Sequence, residues 1–222
     1  MTDPDPSDEF STDRRRMVEK QLRDRGIRDN RVLEAMARVP RDLFVPASHR
    51  AQSYEDHPLP IACGQTISQP YIVGYMLELL ELQPSDVVLE VGTGSGYQTA
   101  LLAFLAAGVY SIERHAELAE IARAHLNELG CANVEIVVGD GSRGLCEASP
   151  FDAIIVAAAA PEAPHRLVDQ LRAGGRMILP VGPAESQYLQ FARKGSDGTV
   201  NVTALEGCRF VPLIGEGGYP AE

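Results

Sequence analysis

Five short runs of apolar, largely β-branched residues dominate the second half of the chain. They are VVLEV at 87–91, VYSIE at 109–113, VEIVV at 134–138, FDAIIVAA at 151–158 and RMILPV at 176–181. Their apolarity is continuous rather than alternating, as in strands covered on both faces. Helical patterns intervene, except between the third and fourth runs, where a glycine-rich turn and a short helix stand. This alternation predicts an α/β fold, a doubly wound and mostly parallel sheet with helices on both faces. Further on, QYLQFARK and TVNVTALEGCRFV flank Gly195-Ser196-Asp197-Gly198 and predict a terminal antiparallel hairpin.

The first third reads as a helical extension. A helix is predicted from Asp13 to about Arg25. A second follows in DNRVLEAMARVP, with Asp29 as N-cap and Val32, Ala35, Met36 and Val39 on one face. Val39-Pro40 ends it, because the residue before proline avoids helical angles. Residues 44–64 carry too much proline and too little period for regular structure, and read as a long wrapping segment. Pro70 fits the first turn of a third helix whose Ile72, Met76, Leu79 and Leu80 face inward. The expected organisation is one domain over 1–222: a disordered acidic leader at 1–12, the extension at 13–83 and a Rossmann-like core at 84–222.

Composition narrows the function classes. The formal net charge of −11 opposes a broad phosphate-binding surface, so nucleic acid is not an expected partner. No apolar run reaches the roughly 18 residues that span a bilayer, and none of the amino terminus resembles a secretory signal, so a cytoplasmic chain without a membrane partner is expected. Four cysteines, Cys63, Cys131, Cys146 and Cys208, are widely spaced and read as reduced thiols with no metal site. His49, His57, His115, His125 and His165 read as surface or packing residues.

VVLEVGTGSGYQTALLA places Gly92, Gly94 and Gly96 where the first strand turns into a helix, and Thr93 lies among them. Glycine there lets backbone approach a ligand, and the helix start carries positive potential. A pyrophosphate fingerprint would want its third glycine one place later, where Tyr97 stands. Glu113 ends the next strand, followed by Arg114. Its carboxylate could accept both hydroxyls of a ribose. Asp140, between Gly139 and Gly141, could accept from an adenine amino group. Glu90 is a carboxylate inside an apolar strand and needs a partner, either a buried cation of the protein or a cationic ligand.

EVGTGSG, SIER and GDG together resemble the S-adenosylmethionine-dependent methyltransferase fold. The remaining blocks narrow the resemblance. MVEKQLRDRGIRDNRVLEAMARVPRDLFVP, PLPIACGQTISQPYIVGYM, FDAIIVAAAAPEAP, LRAGGRMILPVG and RFVPLIGEGG are similar, in order, to the protein-L-isoaspartate O-methyltransferase family, from Arg14 to Gly218. Ala62, Gly74 and Ala157 depart from its usual glycine, alanine and threonine, and Ala62 bears on the mobility of the loop that carries it.

The resemblance implies methyl transfer from S-adenosyl-L-methionine to the free α-carboxylate of L-isoaspartyl residues, leaving S-adenosyl-L-homocysteine and starting repair through a succinimide. It implies isoaspartyl peptides and proteins as partners; a monomer without a metal is the expectation beside it. Gln65, Thr66, Ile67 and Ser68 would lie over the transferable methyl, with Ser68 as the active-site hydroxyl. From spacing alone Ser68 also reads as the N-cap of the helix at Pro70. The segments 44–69 and 211–220 would wall a peptide cleft. A methyltransferase that tailors an aspartate of one dedicated peptide, a cofactor-binding adaptor without catalysis, and more remotely a nicotinamide dehydrogenase remain alternatives.

Overall fold

The computed structural model describes residues 9–183 and 185–220; most of the expected leader, residues 1–8, lies outside that set. Helix α1 (Ser11–Arg16) continues through a π-helical stretch, Met17–Leu22, and a 3-10 turn, Arg23–Arg25, that stops at left-handed Gly26. It starts two residues earlier than predicted, so residues 11 and 12 belong to the extension and not to a leader. Helix α2 (Asn30–Arg38) is capped by the Asp29 carboxylate, which accepts from the Arg31 N–H at 2.8 Å, and buries Val32, Leu33, Ala35 and Met36.

The wrapping segment has more order than its composition suggested. It contains 3-10 turns at Arg41–Phe44 and Ala47–Gln52. Strand β1 (Leu59–Pro60) then pairs antiparallel with β2 (Thr66–Ile67). Cys63 and Gly64 turn the chain between them, both with positive φ. A two-residue ribbon is too short to leave a period in the sequence.

Helix α3 (Pro70–Leu79) begins with proline at its first turn, and its N-cap is Gln69 with no side-chain capping bond. Ser68 therefore does not cap it. The buried face is Tyr71, Val73, Met76 and Leu77, continued by Leu80, whereas Ile72 and Leu79 are only half-buried. A Cβ on Gly74 would stand 3.2 Å from both Leu22 Cδ2 and Met36 Sδ. The glycine departure noted in the sequence thus falls where α3 closes on the two preceding helices.

Strands β3 (Val87–Val91), β4 (Gly108–Glu113), β5 (Val134–Val138), β6 (Phe151–Val156), β7 (Leu171–Val181), β8 (Gln187–Lys194) and β9 (Val200–Cys208) form a sheet in the order β5-β4-β3-β6-β7-β8-β9. The first five are parallel, and β8 and β9 add antiparallel at one edge as the predicted hairpin. Helices α4 (Tyr97–Leu105), α5 (Ala116–Glu128) and α6 (His165–Asp169) connect the strands.

Alternate strand residues enter two separate apolar clusters. Val88, Ala153, Ile155 and Ile178 pack with residues of α1 to α4. Leu89, Val91, Ile154, Val156, Met177 and Leu179 pack with Leu167 of α6. Both faces are covered, which is why the strands read as unbroken apolar runs. The chain runs outward from β3 through β4 to β5, then returns to β6 on the other side of β3. Such a reversal opens a crevice at the strands' carboxyl ends, the usual ligand edge of an open α/β sheet.

Candidate active site

The loop from β3 to α4 forms the floor of that crevice. Gly92 and Gly96 have φ of 95° and 97°, a region closed to most side chains. A Cβ on Gly96 would also come within 3.2 Å of Ala122 on α5. Gly92 N–H donates to the Ile112 carbonyl at 2.8 Å, which ties the loop to the end of β4. His125 Nδ1, on α5, lies 2.9 Å from the Ser95 carbonyl.

Glu113, at the end of β4, is only 5% exposed. Its carboxylate accepts from the Gly94 N–H and the His115 N–H, each at 2.9 Å. It thereby pins the glycine loop to the start of α5 and keeps acceptor capacity to spare, because each carboxylate oxygen accepts more than one bond.

Glu90 behaves otherwise than expected. It is fully buried and shares a strand face with Val88, so it points toward α4. Its oxygens accept from Gln98 Nε2 at 3.0 Å, Thr99 Oγ1 at 2.5 Å and Ser111 Oγ at 2.6 Å. No cation partners it among the described residues; three neutral donors do. Burial pushes its carboxyl up to about 7, against the opposing pull of those bonds. Thr93 Oγ1 lies 2.5 Å from Ser111 Oγ, so the network reaches the glycine loop from below.

Asp140 is also held by bonds within the protein. Its carboxylate accepts from Ser142 N–H and Ser142 Oγ, at 3.0 and 2.6 Å, and from the N–H of Glu216 at 2.9 Å. Burial raises its carboxyl, but these donors together outweigh that and hold it below the ordinary range. One of these three bonds ties Asp140 to the C-terminal segment. Gly217 N–H donates to Ser142 Oγ at 2.9 Å, and the Glu216 carboxylate accepts from Arg166 Nη2 at 2.7 Å.

The crevice is open to solvent at its mouth, and its empty space, solvent at the mouth included, is about 810 Å³. Gln65, Thr66, Ile67, Ser68, Gly92, Thr93, Gly94, Glu113, Arg114 and Gly141 all line it. Glu90, Gly96 and Asp140 do not; they stand behind its walls. Sequence reasoning missed Tyr97, Gln98, His115, Ala157, Ala158 and the stretch Val211–Ile214 as wall residues. The RFVPLIGEGG block was a signal for the last of these, though it was assigned to a peptide cleft. His115, read as surface or packing, also has a buried Nε2 without a hydrogen-bond partner among the described residues.

The ribbon β1–β2 forms the roof. Ser68 is half-buried, and its hydroxyl has no partner among the described residues. Its carbonyl is held by Arg41 Nη2 at 2.8 Å. A second cavity, with about 650 Å³ of empty space including solvent at its mouth, adjoins the first. Thr66, Ser68, Ala157 and Val211 face both cavities. Pro58, Gln69, Ile72 and the end of the C-terminal hairpin, Gly207 to Phe210, complete the second one.

A carboxylate-bearing wall disfavours phosphate and suits a cationic or hydroxyl-rich ligand. Among the described residues no group of three or more His, Cys, Asp or Glu could hold a metal ion.

Comparison with known proteins fits this chemistry. The sequence model of the family described as Protein-L-isoaspartate(D-aspartate) O-methyltransferase (PCMT) matches residues 12–218. A protein-L-isoaspartate O-methyltransferase of Koribacter versatilis is 58% identical over 95% of this chain and 94% of its own. One from Petrotoga mobilis is 53% identical over 95% of this chain and its full length. Among solved structures, a protein-L-isoaspartate O-methyltransferase superposes with a TM-score of 0.83 at 29% identity, covering 92% of this chain and 67% of that one. A Plasmodium falciparum structure named as a β-aspartate methyltransferase (PCMT), in complex with S-adenosyl-L-homocysteine, gives 0.79 at 28% identity over 90% and 98% of the two chains.

Proposed function

The chain belongs to the protein-L-isoaspartate(D-aspartate) O-methyltransferase family, and on that premise we propose which of its residues carry the reaction. The activity is methyl transfer from S-adenosylmethionine to isoaspartyl residues of proteins, the entry to their repair. What most supports the residue assignment is one juxtaposition: Ser68 and Glu113 line the same cavity.

S-adenosylmethionine supplies, when bound, a methyl group on a positively charged sulfur that a carboxylate oxygen can displace. Glu113 holds its ribose hydroxyls, and Thr93, Gly94, Arg114 and Gly141 shape the surrounding wall. Gln65, Thr66 and Ile67 cover the site from above. Gly92 and Gly96 act through the loop conformation they permit. Glu90 and Asp140 act from behind, the first bracing the glycine loop through Ser111 and Thr93, the second anchoring the C-terminal segment.

The acceptor is an α-carboxylate with a pKa of about 3.5. It is ionised at neutral pH and needs no general base, which is consistent with a site that has a hydroxyl at its centre and no base paired to it. Ser68 donates one hydrogen bond and orients the carboxylate without quenching it. The protein's share of the work is alignment and exclusion of water, the proximity contribution of roughly 7–11 kcal/mol in favourable cases. The second cavity, which adjoins the first, receives the peptide that carries the acceptor.

The same reading takes residues 1–222 as one domain, because a single apolar cluster joins α1–α3 to the strands. It takes the chain as a cytoplasmic monomer that binds neither nucleic acid nor membrane. The net charge of −11 and four free cysteines support this, and no helix of the described residues is long and apolar enough to cross a membrane. Radiolabelled methyl transfer to paired isoaspartyl and aspartyl peptides tests the function. Label on the first alone is the expected result, and label on neither overturns it.

A further inference from the structure

Arg41 is the largest of the fully buried side chains, at 0% exposure, and it has no ion-pair partner among the described residues. A guanidinium removed from water without a counter-ion is costly. The nearby carboxylate of Asp56 is already paired with Arg25 and bonded by Gln69 Nε2. Arg41 Nε donates to the Ser53 carbonyl at 2.8 Å and Nη2 to the Ser68 carbonyl at 2.8 Å. Its guanidinium carbon lies 5.0 Å from the centre of the Tyr97 ring. Nη1 has no partner, and neither does the buried Tyr97 hydroxyl beside it. Two of the three contacts of this cation, Ser68 and Tyr97, are cavity-wall residues.

Resting on the methyl-transfer reading above, we propose that Arg41 is a positioning residue for the acceptor carboxylate. From behind the wall it fixes the Ser68 backbone and supplies a desolvated positive charge that favours an anion beside the Ser68 hydroxyl. No carboxylate forms an ion pair with it among the described residues, the nearby Asp56 being paired with Arg25. That arrangement reconciles a carboxylate substrate with a protein of net charge −11. Arg114 and Arg209, the guanidinium groups that line the two cavities, are exposed to solvent and correspondingly screened. Arg41 is not screened in this way.

The test compares binding of two peptides in the presence of S-adenosylhomocysteine: an isoaspartyl peptide, and the same peptide with its α-carboxylate replaced by the neutral carboxamide. The wild-type protein should prefer the carboxylate. Arg41→Met, which keeps bulk and removes charge, should cut that preference about tenfold and raise KM for the isoaspartyl peptide similarly. Its affinity for S-adenosylhomocysteine should stay within about twofold of wild type. Arg41→Lys, which keeps charge and loses the fork, should retain the preference while kcat falls. If Arg41→Met does not fold, the lysine variant decides alone. An unchanged preference in Arg41→Met overturns the proposal, as does a lost preference in folded Arg41→Lys. A parallel loss of preference and cofactor affinity also overturns it, since that marks a merely structural role. A wild-type protein that binds the carboxylate peptide but never methylates it would sink the functional reading and leave this ratio to be read on its own.

Discussion

Asp140 accepts a hydrogen bond at 2.9 Å from the N–H of Glu216, 76 residues further along the chain. Through it the end of β5 holds the segment whose earlier residues, Val211 to Ile214, form one wall of the crevice. Asp140→Ala should therefore loosen that wall. We expect lost hydrogen-exchange protection at Glu216 and Gly217, and S-adenosylhomocysteine affinity lower by tenfold or so, given the roughly 1.5–3 kcal/mol associated with bonds to a charged acceptor. Unchanged exchange at both amides would refute the anchor.

Ser68→Ala removes a hydroxyl that has no partner within the described residues, so its loss should cost the fold little. Turnover on an isoaspartyl peptide should fall about tenfold to a hundredfold, the rate equivalent of one hydrogen bond to a charged group. Calorimetric affinity for S-adenosylhomocysteine should be close to wild type. Equal kcat in the two proteins would take Ser68 out of the mechanism.

Glu113→Ala removes the pin between Gly94 and His115 and, with it, the proposed ribose acceptor. Cofactor affinity should drop by more than tenfold. Glu113→Gln, which keeps one acceptor oxygen, should lose less. Titration of both variants with S-adenosylhomocysteine separates the two contributions, and wild-type affinity in Glu113→Ala would contradict the assignment.

Glu90 gives a pH signature. Its carboxyl is raised by burial to about 7 from an ordinary 4.5. The native state therefore binds the proton more tightly than the unfolded chain does. The stability this group contributes is complete below pH 4.5 and is lost as pH rises through 7. Glu90→Gln has no proton to lose. Its unfolding free energy relative to wild type should improve between pH 5 and pH 8, by an amount on the order of 3 kcal/mol. Chemical denaturation at the two pH values measures it. A gap that stays constant would show that Glu90 titrates normally.

The strands were legible because covering both sheet faces demands uninterrupted apolar runs, and VVLEV, VEIVV and FDAIIV supply them. Gly92 and Gly96 were legible because their positive φ excludes most other residues. Glu113 could be placed at a strand tip by counting. What was hidden depended on contacts distant in sequence. Nothing local shows that Asp140 meets Glu216 or that Arg41 reaches Ser68, and a two-residue ribbon such as β1–β2 has no period to detect. Glu90 was misread for a different reason. An acidic residue in an apolar run suggests a cation, yet Gln98, Thr99 and Ser111 satisfy it together, and each alone looks like an unremarkable helix or strand residue.

Thr66, Ser68, Ala157 and Val211 face two compartments at once. On the proposed assignment each chamber takes its own ligand, so donor and acceptor need not compete for one space. Both can be resident together, and nothing in such a layout requires the enzyme to carry the methyl group itself between visits. Initial-rate plots for a partitioned vessel of this kind should intersect, the pattern of a ternary complex, and should not run parallel.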